Sequence, residues 1–222
     1  MSTLDFGALS PYMGTLLDAL RVTLEISVLA VICSLPIGLG LAFLRTSRHL
    51  ALRIPAAIYV EVLRNVPLLV IIYILFYGLP GYGLTLGAFT SGIAALTLNG
   101  SAYLTEVFRG GLIAIPRGQF EAARSLGLPQ RHVLGSVVIP QLFRITFPAL
   151  GNQVVGLILG SALVSVIGIN ELTHVSYVIG SRTFRYFEVF VVAGVLYLVA
   201  VQVLNRLWEV AGRRLRKGMV RQ

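Results

Sequence analysis

Apolar residues in this chain neither alternate nor form a narrow stripe. They come in continuous runs of about 20, the length a helix needs to cross a hydrocarbon core. Five runs stand out, at about Arg21–Leu44, Ala57–Leu79, Ala88–Phe108, Phe147–Ile169 and Glu188–Trp208. They are too long and too uniform for barrel strands, which alternate with a period of two. The pattern predicts an all-α membrane protein with about five transmembrane helices. Pro36 and Pro67 fall inside the first two runs and are expected to kink or interrupt them. Gly38, Gly40 and the G-x-x-x-G of Gly156 and Gly160 allow close helix approach, either within the chain or at a seam with a second copy.

Between the third and fourth runs the apolar character lapses. The stretch QFEAARSLGLPQRHVLGSVVIPQ, Gln119–Gln141, predicts a short polar helix. Glu121 suits its N-terminus, and Ala122 and Ala123 are strong helix formers with almost no side-chain bulk. Gly127 provides a left-handed stop and Pro129 forbids continuation. A helix resting on lipid headgroups would carry a broad face of large apolar residues. Small residues and a hard stop suit insertion into a cleft of a soluble protein instead. On the other side of the membrane, GLPGYGLTLG (Gly78–Gly87) reads as a turn. The longer NELTHVSYVIGSRTFRYF is expected to form an interfacial helix, serving either as a docking surface or as a plain connector.

Charge orients the chain. Only 12% of its 222 residues are charged, against about 25% in a typical soluble domain, and the net charge is +9. Arg45, Arg48 and Arg53 fall in the first loop, and Arg109, Arg117, Arg124, Arg131 and Arg144 in the third. Arg213, Arg214, Arg216, Lys217 and Arg221 fall in the tail, while the opposite side holds only Arg21, Arg182 and Arg185. This asymmetry predicts an outer N-terminus and a cytoplasmic C-terminus. It also assigns the basic tail to anionic lipid rather than to nucleic acid. No basic segment precedes the first run, so no secretory signal is expected. With no internal repeat, residues 1–222 are taken as a single transmembrane domain. Cys33, the lone cysteine, is expected to be a small core residue.

Polar residues inside the runs are the candidates for chemistry. Asn99, Tyr103 and Glu106 share one face of the third span, beside Ser101. Such a stripe either lines a solute path or bonds neighbouring helices. The same alternatives hold for Asn152, Gln153, Ser161 and Ser165 in the fourth span. Glu106 is expected to pair with Arg109, and Glu61 with Arg64. His49, His132 and His174 are scattered, so no metal site is expected. No G-x-x-x-x-G-K-[ST] occurs, so the chain cannot be an ATPase of the P-loop type.

Glu121-Ala122-Ala123, then Gly127, then Val137-Val138-Ile139-Pro140 resembles the EAA loop of ABC importer permeases. The family more often ends this pattern Ile-x-Leu-Pro. RNVPLLV (Arg64–Val70), SAYLTEVFRGGLIAIPRGQFEAARSLG (Ser101–Gly127), PALGNQ (Pro148–Gln153), SVIGINEL (Ser165–Leu172) and TFRYFEVF (Thr183–Phe190) are similar to the polar amino acid branch. The resemblance covers nearly the whole chain. It implies that Glu121, Ala122, Ala123, Gly127 and Pro140 belong to a coupling helix region that docks into a cytoplasmic ATPase. It further implies two ATPase subunits using ATP and Mg, a second permease, identical or related, and an extracytoplasmic solute-binding protein. No cofactor would be bound by this chain, and the location would be the cell inner membrane. Many members carry a Lys-Asp pair after Gly-Asn-Gln; here the matching stretch is Leu159-Gly160-Ser161-Ala162-Leu163. Two rival readings are a self-contained secondary transporter or channel, and a membrane hydrolase using His174 and Ser176.

Overall fold

The computed structural model describes residues 4–217. Arg221 lies outside them, as do the side chains of Arg117, Arg124, Arg214, Arg216 and Lys217. All regular structure among the described residues is helical. A 3-10 turn, Gly7–Tyr12, leads into α1 (Met13–Arg45). Then come α2 (Leu50–Asn65), α3 (Leu68–Tyr73), α4 (Ala88–Ala114), α5 (Arg117–Ser125) and α6 (Gln130–His132). They are followed by α7 (Ile139–Gly160), α8 (Leu172–Thr183) and α9 (Tyr186–Lys217).

Three segments, Gly7–Arg45, Gln130–Ile167 and Tyr186–Arg213, are long and apolar enough to cross a membrane. A fourth is the pair Leu50–Asn65 and Leu68–Tyr82, bent by 105°. The interruption expected at Pro67 is therefore a full break, and the Ala57–Leu79 run is two helices. Pro67 supplies no amide to continue α2 and instead opens α3, its carbonyl accepting from Val70 and Ile71 at 2.9 and 3.3 Å. Pro36, by contrast, stays inside an unbroken α1, at an exposed position.

α4 has the length to span, at 27 residues, but not the hydropathy of the other segments. The reason is its place. It packs against α1, α2 and α7, and its Ser91, Thr97, Ser101 and Thr105 are buried. A helix surrounded by protein need not be as apolar as lipid demands. The α1–α4 approach is close because Gly38 faces α4: a Cβ there would lie 2.8 Å from the Leu104 Cβ and 3.1 Å from the Ser101 carbonyl oxygen. Gly40 has open space around it. Of the G-x-x-x-G pair, Gly160 meets Leu68 and Leu96, while Gly156 is exposed with no neighbour within 4 Å. Cys33 is exposed on α1, a correction to its expected place in the core.

α8 is a helix, as expected, but it is held by protein as well. Leu172, Ser176, Ile179 and Gly180 are buried, and the helix packs against α1 and α9. Its N-cap is the wholly buried Glu171, which accepts from the amides of Thr173 and His174 at 2.9 and 2.7 Å and from the Tyr197 hydroxyl at 3.0 Å. The Leu172 amide donates to Thr23 Oγ1 of α1 at 3.1 Å. Burial pushes the Glu171 carboxyl above the ordinary carboxylate value, while the amides and the hydroxyls of Tyr197 and Thr173 draw it back.

Two outcomes are expected. Gly38→Val should lower the thermal stability of the purified chain by about 1–3 kcal/mol through overpacking against α4, while Gly40→Ala changes it little. A thermal-shift comparison in detergent decides this. The protonated form of Glu171 favours the folded state, so its contribution is full below the ordinary carboxylate range and fades as pH rises through the raised value. The wild-type melting temperature should therefore fall relative to Glu171→Gln on raising the pH; parallel profiles would refute it.

Candidate functional site

Two regions carry the polar chemistry. The first is the loop between α4 and α7. α5 ends at Gly127, whose φ of +71° is the left-handed conformation foreseen from its sequence. The Leu128 amide reaches back to the Ala123 carbonyl at 3.2 Å and the Leu126 amide to Ala122 at 3.1 Å, closing the helix end. Pro129 then starts α6, and a π-helical turn, Val133–Val138, runs into α7. Pro140 sits in the first turn of α7; having no amide, it leaves the Ser136 carbonyl without an α-helical donor, which suits the wide turn before it.

The helix has two faces. Ala123 is only 5% exposed and packs with Phe108, Ile115, Val133, Val138 and Leu142, with Phe120 beside it. Glu121, Ala122, Ser125 and Leu126 face outward, Leu126 at 78% exposure. The two alanines of the motif thus differ: Ala122 is presented outward, whereas Ala123 ties α5 to the ends of α4 and α7.

The second region is the contact of α4 with α2, made by Asn99 and Tyr103 on one face of α4 and by Ser101 on another. The bend after Asn65 frees the last carbonyls of α2. The Leu63 carbonyl would accept from residue 67, but that residue is a proline; Asn99 Nδ2 donates to it instead, at 3.0 Å. The Arg64 carbonyl receives the Tyr103 hydroxyl at 3.4 Å, and the Arg64 guanidinium lies 5.3 Å from the Tyr103 ring centroid. The Ser101 hydroxyl lies 2.8 Å from that of Tyr59. α4 side chains therefore stand in for the donors that the broken helix lacks.

Just beyond lies an ion cluster. Glu106 binds Arg109 at 2.7 Å, as expected, and also binds Arg45 of α1. Arg45 reaches Glu61 at 3.8 Å, and Glu61 does not pair with Arg64. The expected Glu61–Arg64 pair gives way because Glu61 turns to α1 and Arg64 to α4.

The fourth-span candidates are dispersed. Asn152 is exposed and borders a cavity of about 520 Å³ between α7 and α9. Gln153 is half-buried. Ser161 and Ser165 donate to Ile158 and Ala162 of their own segment, both at 2.7 Å. Ser176 likewise donates to Leu172, at 2.6 Å, and not to His174. No group of three or more potential metal ligands occurs among the described residues. Arg144, Gln202, Asn205 and Glu209, which share the cavity with Asn152, were not singled out as candidates from the sequence. The signal for three of them was the helical spacing of 202, 205 and 209 on one span.

Residues 34–217 match the model of the binding-protein-dependent transport system inner membrane component. The chain belongs to that family. Among these inner membrane components it is 34% identical over 214 residues to the arginine transport system permease protein ArtQ of Bacillus subtilis, covering 96% of this chain and 98% of that one. It is 32% identical over 207 residues to the putative glutamine transport system permease protein GlnP of Rickettsia bellii, covering 93% and 95%. A crystal structure of an amino acid ABC transporter with histidines superposes with a TM-score of 0.88 at 37% identity, covering 96% of this chain and 100% of that one. The chain is thus a membrane-spanning permease subunit, and ATP hydrolysis belongs to separate ATPase subunits.

Asn99→Leu should leave the Leu63 carbonyl without a side-chain donor and cost about 1–2 kcal/mol of stability. The change is expected as earlier proteolytic cleavage near residue 66; an unchanged digestion profile would count against the capping role.

Proposed function

We propose that this chain is the permease subunit of an ATP-driven importer of polar amino acids in the cell inner membrane. α1, the bent pair α2–α3, α4, α7 and α9 make five crossings, with the N-terminus outside and the C-terminus in the cytoplasm. The arginines clustered at the α5 end support this orientation. Arginine and glutamine in the names of two relatives support the substrate class. The partners are two ATPase subunits using ATP and Mg, a second permease subunit and an extracytoplasmic solute-binding protein.

The observation that carries the mechanism is the two-faced α5. Its outer face, with Glu121 and Ala122, is small enough at Ala122 for a protein cleft to close around it. Its inner face, through Ala123 and Phe120, packs into the cluster that contains Phe108 of α4 and Leu142 of α7. Displacement of α5 by the ATPase therefore reaches both spans without slack, since packed cores switch between arrangements rather than deform. ATP closes the ATPase dimer and opens the pathway outward; hydrolysis reverses the motion. Glu106 and Arg109, at the inner end of α4, carry the displacement to Arg45 of α1. The solute path is assigned to Asn152 and Gln153, whose side chains make no hydrogen bond to another described residue; Asn99, Ser101, Tyr103, Ser161 and Ser165 are engaged in bonds within the bundle.

Reconstitution with the ATPase and binding protein tests this, using labelled arginine and glutamine. Ala122→Glu should abolish uptake at an unchanged amount of inserted permease. Ala123→Glu should lower that amount, because the carboxylate is forced into an apolar cluster. Gly127→Pro should abolish uptake too, since proline cannot adopt φ of +71°. Normal uptake in Ala122→Glu would sink the docking role.

A further inference from the structure

We infer that the cavity between α7 and α9 is a binding station for the free α-amino acid on the cytoplasmic side of the pathway, with Arg144 and Glu209 holding its carboxylate and ammonium. This rests on the importer reading above.

The cavity is built by aromatic packing. Phe147 and Trp208 stack with centroids 4.6 Å apart, and the Trp208 indole donates to the Phe147 carbonyl at 2.8 Å. Two glycines admit the stack: a Cβ on Gly151 would lie 2.6 Å from Trp208 Nε1, and one on Gly212 2.9 Å from the Phe147 ring. The pairs Phe147–Gly212 and Gly151–Trp208 set α7 and α9 antiparallel. The space beside the stack, about 520 Å³, falls within the ~300–1,000 Å³ typical of small-molecule sites.

Its walls are ordered by polarity. Arg144 stands nearest the α5 end, and the facing of Gly151 and Trp208 puts Glu209 near the level of Leu150, roughly 9 Å deeper at 1.5 Å per residue; neither forms an ion pair with another described residue. Pro148 supplies no amide to the Arg144 carbonyl, which leaves that acceptor without its helical donor. Asn152 lies close to the level of Glu209, and Gln202 seven residues back along α9, roughly 10 Å deeper again. Asn205 lies between. A cation, then an anion beside a carboxamide, then further carboxamides, in order of depth, fit a polar zwitterion end to end. A lipid would place its acyl chains against those amides, which hydrocarbon cannot satisfy.

Trp208 is the only tryptophan of the chain, and it lines the cavity, so its emission reports occupancy. The full-length chain in phosphatidylcholine liposomes is titrated with L-arginine, L-glutamine, L-histidine and L-glutamate. N-acetyl-L-glutamine, which lacks the ammonium, is the control. A saturable emission change is expected with at least one free amino acid and none with the acetylated one. Glu209→Gln and Arg144→Gln should each weaken it about tenfold or more, the loss of one charge-assisted contact. Gln202→Leu, at an exposed position, should weaken it less, since both charged residues remain. Circular dichroism verifies the folding of each variant. No saturable response in the folded wild-type chain, or equal affinity in both charge variants, would overturn the inference. So would a change produced only by adding phosphatidylethanolamine to the liposomes, which would make the occupant a lipid. Amino acid uptake by the same chain with its ATPase and binding protein separates the two readings. Uptake with a silent Trp208 removes the station alone, and no uptake of any amino acid removes the importer reading.

Discussion

A carbonyl within a bilayer has no water to turn to, and much of this structure follows from where its displaced carbonyls find donors. The sharpest instance is the end of α2. Pro67 removes the donor for Leu63, and the bend removes the donor for Arg64. The replacements come from α4, through Asn99 and Tyr103. The broken helix is thus tolerable only beside this neighbour, and α4 becomes the element on which α1, α2 and α7 are assembled. At the α7–α9 contact the Trp208 indole adds a second donor to the Phe147 carbonyl and so ties the two helices together.

The ion cluster adds direction to that assembly. Glu106 is shared between Arg109 on its own helix and Arg45 on α1, with Glu61 of α2 at the edge. Three helices are therefore joined electrostatically within a few residues of the α5 loop. The apolar cluster around Ala123 and Phe108 joins the same loop to α4 and α7 by packing. Charge and packing converge at one end of the molecule. At the other end, Glu171, Thr23 and Tyr197 fasten α8 to α1 and α9.

Features that depend on local chemistry were legible in the sequence. Gly127 announced a left-handed stop, Pro67 an interruption, Glu106 and Arg109 a pair, and the long runs their helices. Features that depend on which face meets which neighbour were not. Ala122 and Ala123 are identical residues one position apart, and only the position of the Ala123 neighbours turns one inward. Asn99 and Tyr103 were recognisable as a polar face, but their present partners are backbone atoms, which no side-chain pattern displays. Arg45 lies 61 residues from Glu106, beyond any helical spacing rule. Cys33 was misplaced because an apolar run does not show which of its sides faces out.

The low hydropathy of α4 bears on how the chain enters its membrane. A segment carrying Ser91, Thr97, Asn99, Ser101, Thr105 and Glu106 gains less from lipid than its neighbours do. Among these, Asn99 and Ser101 find partners on α2 and Glu106 on α1, helices synthesised before it. The order of the helices along the polypeptide therefore lets the ribosome deliver α4 to a surface already waiting for it, and biogenesis becomes a cooperative event rather than a series of independent insertions.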